Sequence, residues 1–186
     1  MSSLVITALD VPGLKRIERR LHKDERGVFG RLFCASELAP AGWPGAVAQI
    51  NHSHTIGRGT VRGLHYQRPP HHEAKLVSCI RGEVWDVMID LRADSPTFLH
   101  WHAEHLSASA GTAVLIPPGF AHGFQVLGEE ADLVYCHSAP YQPQAEAGLD
   151  ATDPMLNIPW PLPVGLRSPR DLSCPPLTAD FPGVTL

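Results

Sequence analysis

Between Lys75 and Ser138 the chain is cut into short apolar segments that turn residues keep apart. "KLVSCI", "EVWDVMIDL", "TAVLIP", "GFQVL" and "DLVYCHS" are rich in Val and Ile, and Arg81-Gly82, Asp94-Ser95-Pro96, Pro118-Gly119 and Gly128-Glu129 separate them. The 16 glycines and 18 prolines are scattered through the chain and not gathered in one linker. This spacing is the signature of an all-β sandwich or barrel. Along the second segment Val84, Asp86, Met88 and Asp90 share one face, and Trp85, Val87, Ile89 and Leu91 the other. The apolar set is expected to face hydrophobic packing, and the set with two carboxylates to face a polar cavity or water. "SELAPAGW" is expected to hold a short helix begun by Ser36. The C-terminal "DPMLNIPWPLPVGLRSPRDLSCPPL" is too proline-rich for regular structure and should wrap the barrel as an irregular tail.

A chain of 186 residues is expected to form one domain, residues 1–186, with a real core. Its net charge of -4 provides no global basic field for nucleic acid. No apolar run approaches a membrane span, and "MSSLVITALDVPGLKRIERR" does not read as a signal peptide. Cys34, Cys79, Cys136 and Cys174 form no C-x-x-C pair and read as free thiols of a reducing cytoplasm.

The chemistry gathers around two stretches. "GTAVLIPPGFAHGFQV" reads G-x5-P-x-G-x2-H, with Pro117, Gly119 and His122 at the fixed positions. It resembles the second motif of the cupin superfamily, whose members are double-stranded β-helix jelly rolls. The first cupin motif ends in Glu-x6-Gly, and here Lys75 stands in place of that glutamate, with six residues between it and Gly82. A protonated ammonium has no lone pair and repels a cation, so the site is expected to be metal-free. His71 and His72, beside Pro69-Pro70, read as loop residues. A histidine can take a proton near neutral pH, a lysine can stabilise an enolate oxygen, and a tyrosine can return a proton. Together they would suit an epimerase of a keto-sugar. Taken singly, a histidine is more often structural, and the residues alone do not bring the set together.

The stretches "VRGLHYQ", "EAKLVSCIRGEVWDVMIDLRADSPTF", "LSA", "IPPGFAHGFQVL", "DPMLNIPWP" and "SPRD" resemble, in order, segments of dTDP-4-dehydrorhamnose 3,5-epimerases, from about Asp24 to Pro176. The resemblance implies an all-β cupin jelly roll with a few short helices and a cofactor-independent, cytoplasmic homodimer. The implied substrate is a nucleotide-linked 4-keto-6-deoxy sugar. It makes His65 the base, Asp171 its carboxylate partner, Lys75 the enolate stabiliser and Tyr135 the acid. Asp86 and His122 match pocket positions, Arg62 a diphosphate binder, and Gln49 and Asn51 substrate contacts. Tyr141 and Ser168 match positions lining the nucleotide and sugar site. Arg26 and Phe29 match an N-terminal arm that reaches the neighbouring active site.

Arg31 stands where the family usually has glutamate, which bears on the nucleotide. Val126 replaces the asparagine that usually ends the wider superfamily's motif. Inversion of only one carbon, another nucleotide such as a CDP- or GDP-linked one, a sugar ketoisomerase, a non-catalytic sugar-nucleotide-binding cupin and a metal-dependent oxygenase are the alternatives.

Overall fold

The computed structural model describes residues 3–186; residues 1 and 2, where the expected domain begins, lie outside the described residues. Two antiparallel sheets face each other. The first runs, in spatial order, β1 (Leu4–Ala8), β2 (Lys15–Arg19), β10 (Thr112–Ile116), β7 (Lys75–Arg81), β12 (Glu130–His137) and β5 (Gln49–Ile56). The second runs β13 (Glu146–Gly148), β6 (Val61–Gln67), β11 (Phe120–Val126), β8 (Glu83–Asp90) and β9 (Trp101–Ser107). A small hairpin, β3 (His22–Asp24) and β4 (Gly27–Phe29), stands apart. This is the all-β architecture expected from the spacing of short apolar segments, and its jelly-roll form is the one that the cupin resemblance implies. Among the described residues no helix is long and apolar enough to cross a membrane. All four cysteines are free.

Alternation along the strands sorts the apolar residues into three layers. Val77, Cys79, Val114 and Leu133 of the first sheet meet Val84, Met88, Leu106 and Phe124 of the second, and these fill the space between the sheets. On the outer side of the first sheet, Ile17, Leu76, Ala113 and Leu115 pack against Leu38 and Trp43. On the outer side of the second, Val87, Ile89, Leu91 and Ala121 pack against Leu149, Leu156, Leu177 and Val184 of the C-terminal tail. Each Val, Leu, Ile, Met or Phe among them contributes about 1.5–3 kcal/mol on burial.

The tail therefore covers apolar surface that would otherwise face water. It is stitched down by polar groups: Gln125 donates to the Leu162 carbonyl at 2.9 Å, and its own oxygen accepts from Leu162 N–H at 3.0 Å.

Two expectations need correction. The face of β8 that carries Asp86 and Asp90 meets neither water nor a wholly polar space. Val84 and Met88 on that face belong to the inter-sheet core, and both carboxylates are fully buried. Asp90 is held by Arg92, Ser95 and Thr97, so its charge is compensated locally. The short helix α1 (Ala35–Leu38) starts one residue earlier than Ser36, with Cys34 as N-cap and no side-chain cap bond. The Ser36 hydroxyl lies 3.3 Å from the Cys34 sulfur and leaves the helix end uncapped. The tail is irregular apart from one helical turn, α2 (Pro169–Leu172), where Ser168 accepts from the Asp171 N–H and proline occupies the first turn.

One irregularity in the second sheet matters for the site. β11 places His122 opposite His65 but Phe124 opposite Arg62. Two steps along β11 thus match three along β6, which is a β-bulge. In a regular strand Arg62 and His65 would point to opposite faces. The extra residue turns both to the inner side, while Val61 and Leu64 pack outward under the tail. Gly63 sits in the bulge with φ of 109°, and a Cβ there would lie 2.7 Å from the backbone of Gly123 and His122. Gly63→Ala should cost about 2–3 kcal/mol through backbone displacement. At roughly 2–4 °C per kcal/mol for a chain of this size, calorimetry should show Tm falling by about 4–12 °C. An unchanged Tm would mean the bulge relaxes freely.

Candidate active site

The inner ends of β5, β6, β7, β11 and β12 open into a cleft of about 510 Å³. Asn51, Arg62, His65, Lys75, His122, Tyr135 and Tyr141 all line it. His65 and His122 are register partners, and His137 and Lys75 are register partners on the opposite sheet. Pairing across the strands thus assembles residues far apart in the chain.

The His65 ring is fixed from the tail. Asp171 of α2 accepts from His65 Nε2 at 2.7 Å and from the Gly63 N–H at 3.3 Å. A carboxylate only accepts, so Nε2 carries the hydrogen and Nδ1 keeps its lone pair. Burial pushes the imidazole below its ordinary pKa. The Asp171 hydrogen bond and charge work against that shift, and the Arg170 and Lys75 cations add to it. His65 is consequently a neutral base near pH 7.

Across the cleft the Tyr135 hydroxyl lies 3.1 Å from the Ser53 hydroxyl. Burial pushes its phenol far above the ordinary range, so it stays protonated. Lys75 is almost buried, with its ammonium 3.3 Å from Glu73 and 3.5 Å from the His65 carbonyl. His122 meets Asp86 at 2.8 Å beneath the cleft floor. Burial raises the Asp86 pKa, and the His122 charge and hydrogen bond oppose that shift. Arg62 is anchored by its Nε donating to Thr55 Oγ1 at 2.8 Å.

Other expected residues sit at the margin or outside. Gln49 lies behind Asn51, donating to its oxygen at 3.0 Å. Ser168 lines an adjoining hollow of about 400 Å³ that shares Arg62 and His65 with the main cleft. Arg26 and Phe29 are not in the cleft of their own chain. They lie on the β3–β4 hairpin, Arg26 bonded to Asp24 and Phe29 74% exposed. Arg31 is paired with Glu37 at 2.8 Å, also outside the cleft.

The sequence reading missed Glu73, His137, Ser53 and Glu146, all of which line the cleft. Strand alternation holds a signal for two of them, because His137 follows Tyr135 and Ser53 follows Asn51 by two. Glu73 lies in a loop, where no periodicity applies.

The chain matches the family model described as dTDP-4-dehydrorhamnose 3,5-epimerase over residues 8–179. It is 40% identical over 165 residues to the dTDP-4-dehydrorhamnose 3,5-epimerase of Shigella flexneri, covering 88% of this chain and 91% of that one. It is also 40% identical over 164 residues to the dTDP-4-dehydrorhamnose 3-epimerase of Streptomyces niveus, covering 88% and 79%. Among solved structures, the dTDP-6-deoxy-D-glucose-3,5-epimerase of Legionella pneumophila in complex with dTDP-4-keto-L-rhamnose superposes with a TM-score of 0.89. That pair shares 36% identity, covering 98% of this chain and 97% of the other.

The buried His122–Asp86 pair yields a stability test. Asp86 Oδ1 has no hydrogen-bond partner, so His122 is the side chain that compensates this carboxylate. His122→Leu should cost about 3–5 kcal/mol, and His122→Leu with Asp86→Leu should recover most of that loss. Urea unfolding midpoints read both. A single variant within about 1 kcal/mol of wild type would show that the pair is not an obligatory buried unit.

Proposed function

The chain belongs to the dTDP-4-dehydrorhamnose 3,5-epimerase family, and from that premise we propose that it inverts C3 and C5 of a dTDP-linked 4-keto-6-deoxy hexose. The reaction converts dTDP-4-dehydro-6-deoxy-D-glucose to dTDP-4-dehydro-L-rhamnose and uses side chains alone. The observation that carries the reading is the convergence of the His65–Asp171 dyad, Lys75 and Tyr135 on one cleft.

Both carbons flank the C4 ketone, so a proton leaving either one produces an enolate at the same oxygen. His65 Nδ1 takes the proton, and the Asp171 carboxylate stabilises the imidazolium that forms. The Lys75 ammonium stabilises the enolate oxygen, whose charge is greatest in the transition state. Tyr135 then delivers a proton to the opposite face of the sugar, and the configuration inverts. One base and one acid serve both carbons in turn, once His65 has released its proton to water and Tyr135 has regained one from water through the open cleft. His122 and Asp86 order the floor beneath Lys75 and Tyr135. Arg62 takes the diphosphate, and Gln49, Asn51, Tyr141 and Ser168 hold the nucleotide and sugar.

The protein works as a cytoplasmic homodimer in which Arg26 and Phe29 complete the partner's site. The exposure of Phe29 on a hairpin away from its own cleft supports this arrangement. Arg31 then braces the base of that arm through Glu37, and dTDP remains the nucleotide.

A second reading, inversion at C3 alone, is favoured by the equal identity to a 3-epimerase. Incubation with dTDP-4-dehydro-6-deoxy-D-glucose in deuterated water separates the two by NMR. Exchange at C3 and C5 supports double inversion, exchange at C3 alone supports the second reading, and no exchange rejects both.

Two kinetic outcomes follow. Lys75→Met should lower kcat by about a hundred- to a thousandfold, equivalent to roughly 3–4 kcal/mol, with little change in KM. A raised KM with kcat intact would make Lys75 a ground-state binder. His65 must be neutral to accept a proton, and its pKa is depressed by burial. The kcat/KM profile should therefore stay level as pH falls through about 6.5, the ordinary histidine value, and decline only at more acid pH. A limb centred above about 6.5 would contradict a depressed His65.

A further inference from the structure

The cleft wall beside Lys75 is a chain of hydrogen bonds whose direction one group dictates. Glu73 Oε1 lies 3.3 Å from the Lys75 ammonium, and Glu73 Oε2 lies 2.9 Å from His137 Nδ1. His137 Nε2 lies 3.4 Å from the Asn51 amide nitrogen. Asn51 Oδ1 accepts from the Gln49 amide at 3.0 Å, and Gln49 Oε1 accepts from the Tyr141 N–H at 3.0 Å. The side chains of Glu73, Lys75 and His137 are only 7%, 10% and 11% exposed, so water does little to relax the arrangement.

The polarity is forced link by link. A carboxylate can only accept, so His137 must donate through Nδ1. When the imidazole is neutral, Nε2 is left as an acceptor, and Asn51 must turn its amide N–H₂ toward it. The Asn51 oxygen is then aimed at Gln49, whose own oxygen is left for Tyr141. The Glu73 carboxyl is held below its usual range. Burial acts to raise it, and the His137 hydrogen bond and the Lys75 charge outweigh that effect. The group at the head of the chain is thus ionised under working conditions.

From this geometry we infer that Glu73 and His137 are positioning residues that couple the enolate-stabilising ammonium to the orientation of the substrate-binding amides. The inference rests on the epimerase reading above and deepens it. Glu73 tethers Lys75 at one oxygen and sets the tautomer of His137 at the other. Through His137 it decides which edge of Asn51 is offered to the sugar nucleotide. Neither residue touches the reacting carbons in this account. Their effect on rate passes through Lys75, and their effect on binding passes through Asn51.

The test uses the full chain and two near-isosteric variants. Ring-nitrogen NMR of the wild-type protein, at a pH where His137 is neutral, should show hydrogen on Nδ1 alone. Glu73→Gln offers His137 both a donor and an acceptor, so the ring should become a mixture of tautomers. With dTDP-4-dehydro-6-deoxy-D-glucose, this variant should lose at least about tenfold in kcat and also show a raised KM. His137→Asn places an amide N–H where Nδ1–H stood and leaves nothing for Asn51, so KM should rise with kcat within about threefold. Hydrogen on Nε2 of wild-type His137 would overturn the inference. So would Glu73→Gln with wild-type kcat and KM, or equal losses of kcat in the two variants. Failure of the wild-type protein to exchange C3 or C5 protons would overturn the epimerase reading instead, and the tautomer measurement does not depend on it.

Discussion

The Asp171 carboxylate ties together three parts of the molecule that have no covalent reason to meet. Its oxygens accept from the His65 ring and from the Gly63 N–H of the β6 bulge, and its own N–H is capped by Ser168 in the tail. The strand supplies His65, the bulge turns it inward, and the tail supplies the carboxylate that orients its ring. A buried carboxylate cannot remain without donors. Its two strand partners, His65 and the Gly63 N–H, therefore hold the tail turn in register with the sheet. The proline-rich tail is in this sense part of the scaffold of the cleft, and the apolar layer beneath it, from Val87 to Leu177, is what brings α2 to β6.

The same solution recurs in the cleft. His65–Asp171, His122–Asp86 and His137–Glu73 are histidine–carboxylate pairs at 2.7, 2.8 and 2.9 Å. Each carboxylate selects which ring nitrogen bears hydrogen, so each pair has a defined polarity. The environments differ in consequence. His65 is partly exposed at the cleft and depressed in pKa, which suits a base, whereas His122 lines the cleft with little exposure and covers the fully buried Asp86. Lys75 is the cation among these acids, tethered to Glu73 yet open to the cleft. A fixed cation of this kind needs no reorganisation when negative charge develops on a sugar oxygen.

Much of this was legible in the residues. Five of the strands from Lys75 to His137 follow from short Val- and Ile-rich segments between turn pairs, with bounds that differ by a few residues, whereas β9, "WHAEHLS", has no Val or Ile and was not among those segments. His122 points inward because it alternates with Ala121, which packs in the apolar layer under the tail. Glu73 gave no sign, because its partner His137 is distant in sequence and a loop has no period. Arg62 and His65 are separated by three positions, so strand alternation alone would have placed them on opposite faces. The β8 face was misjudged because alternation shows which residues lie together and not what covers them.

Sequence by itself determined the local terms: extended segments, turns, and the residue types able to donate, accept or carry charge. These are set by φ/ψ preference and side-chain chemistry within a few residues, so they can be read without knowing the rest of the chain. Tertiary structure decided which of these groups meet. Strand register put His65 opposite His122 and His137 opposite Lys75, and the bulge turned Arg62 and His65 to one side. The tail brought Asp171 to His65, and burial set the direction of the His65 and Asp86 pKa shifts. Proximity across strands and the loss of water around a charge arise only when distant segments pack together.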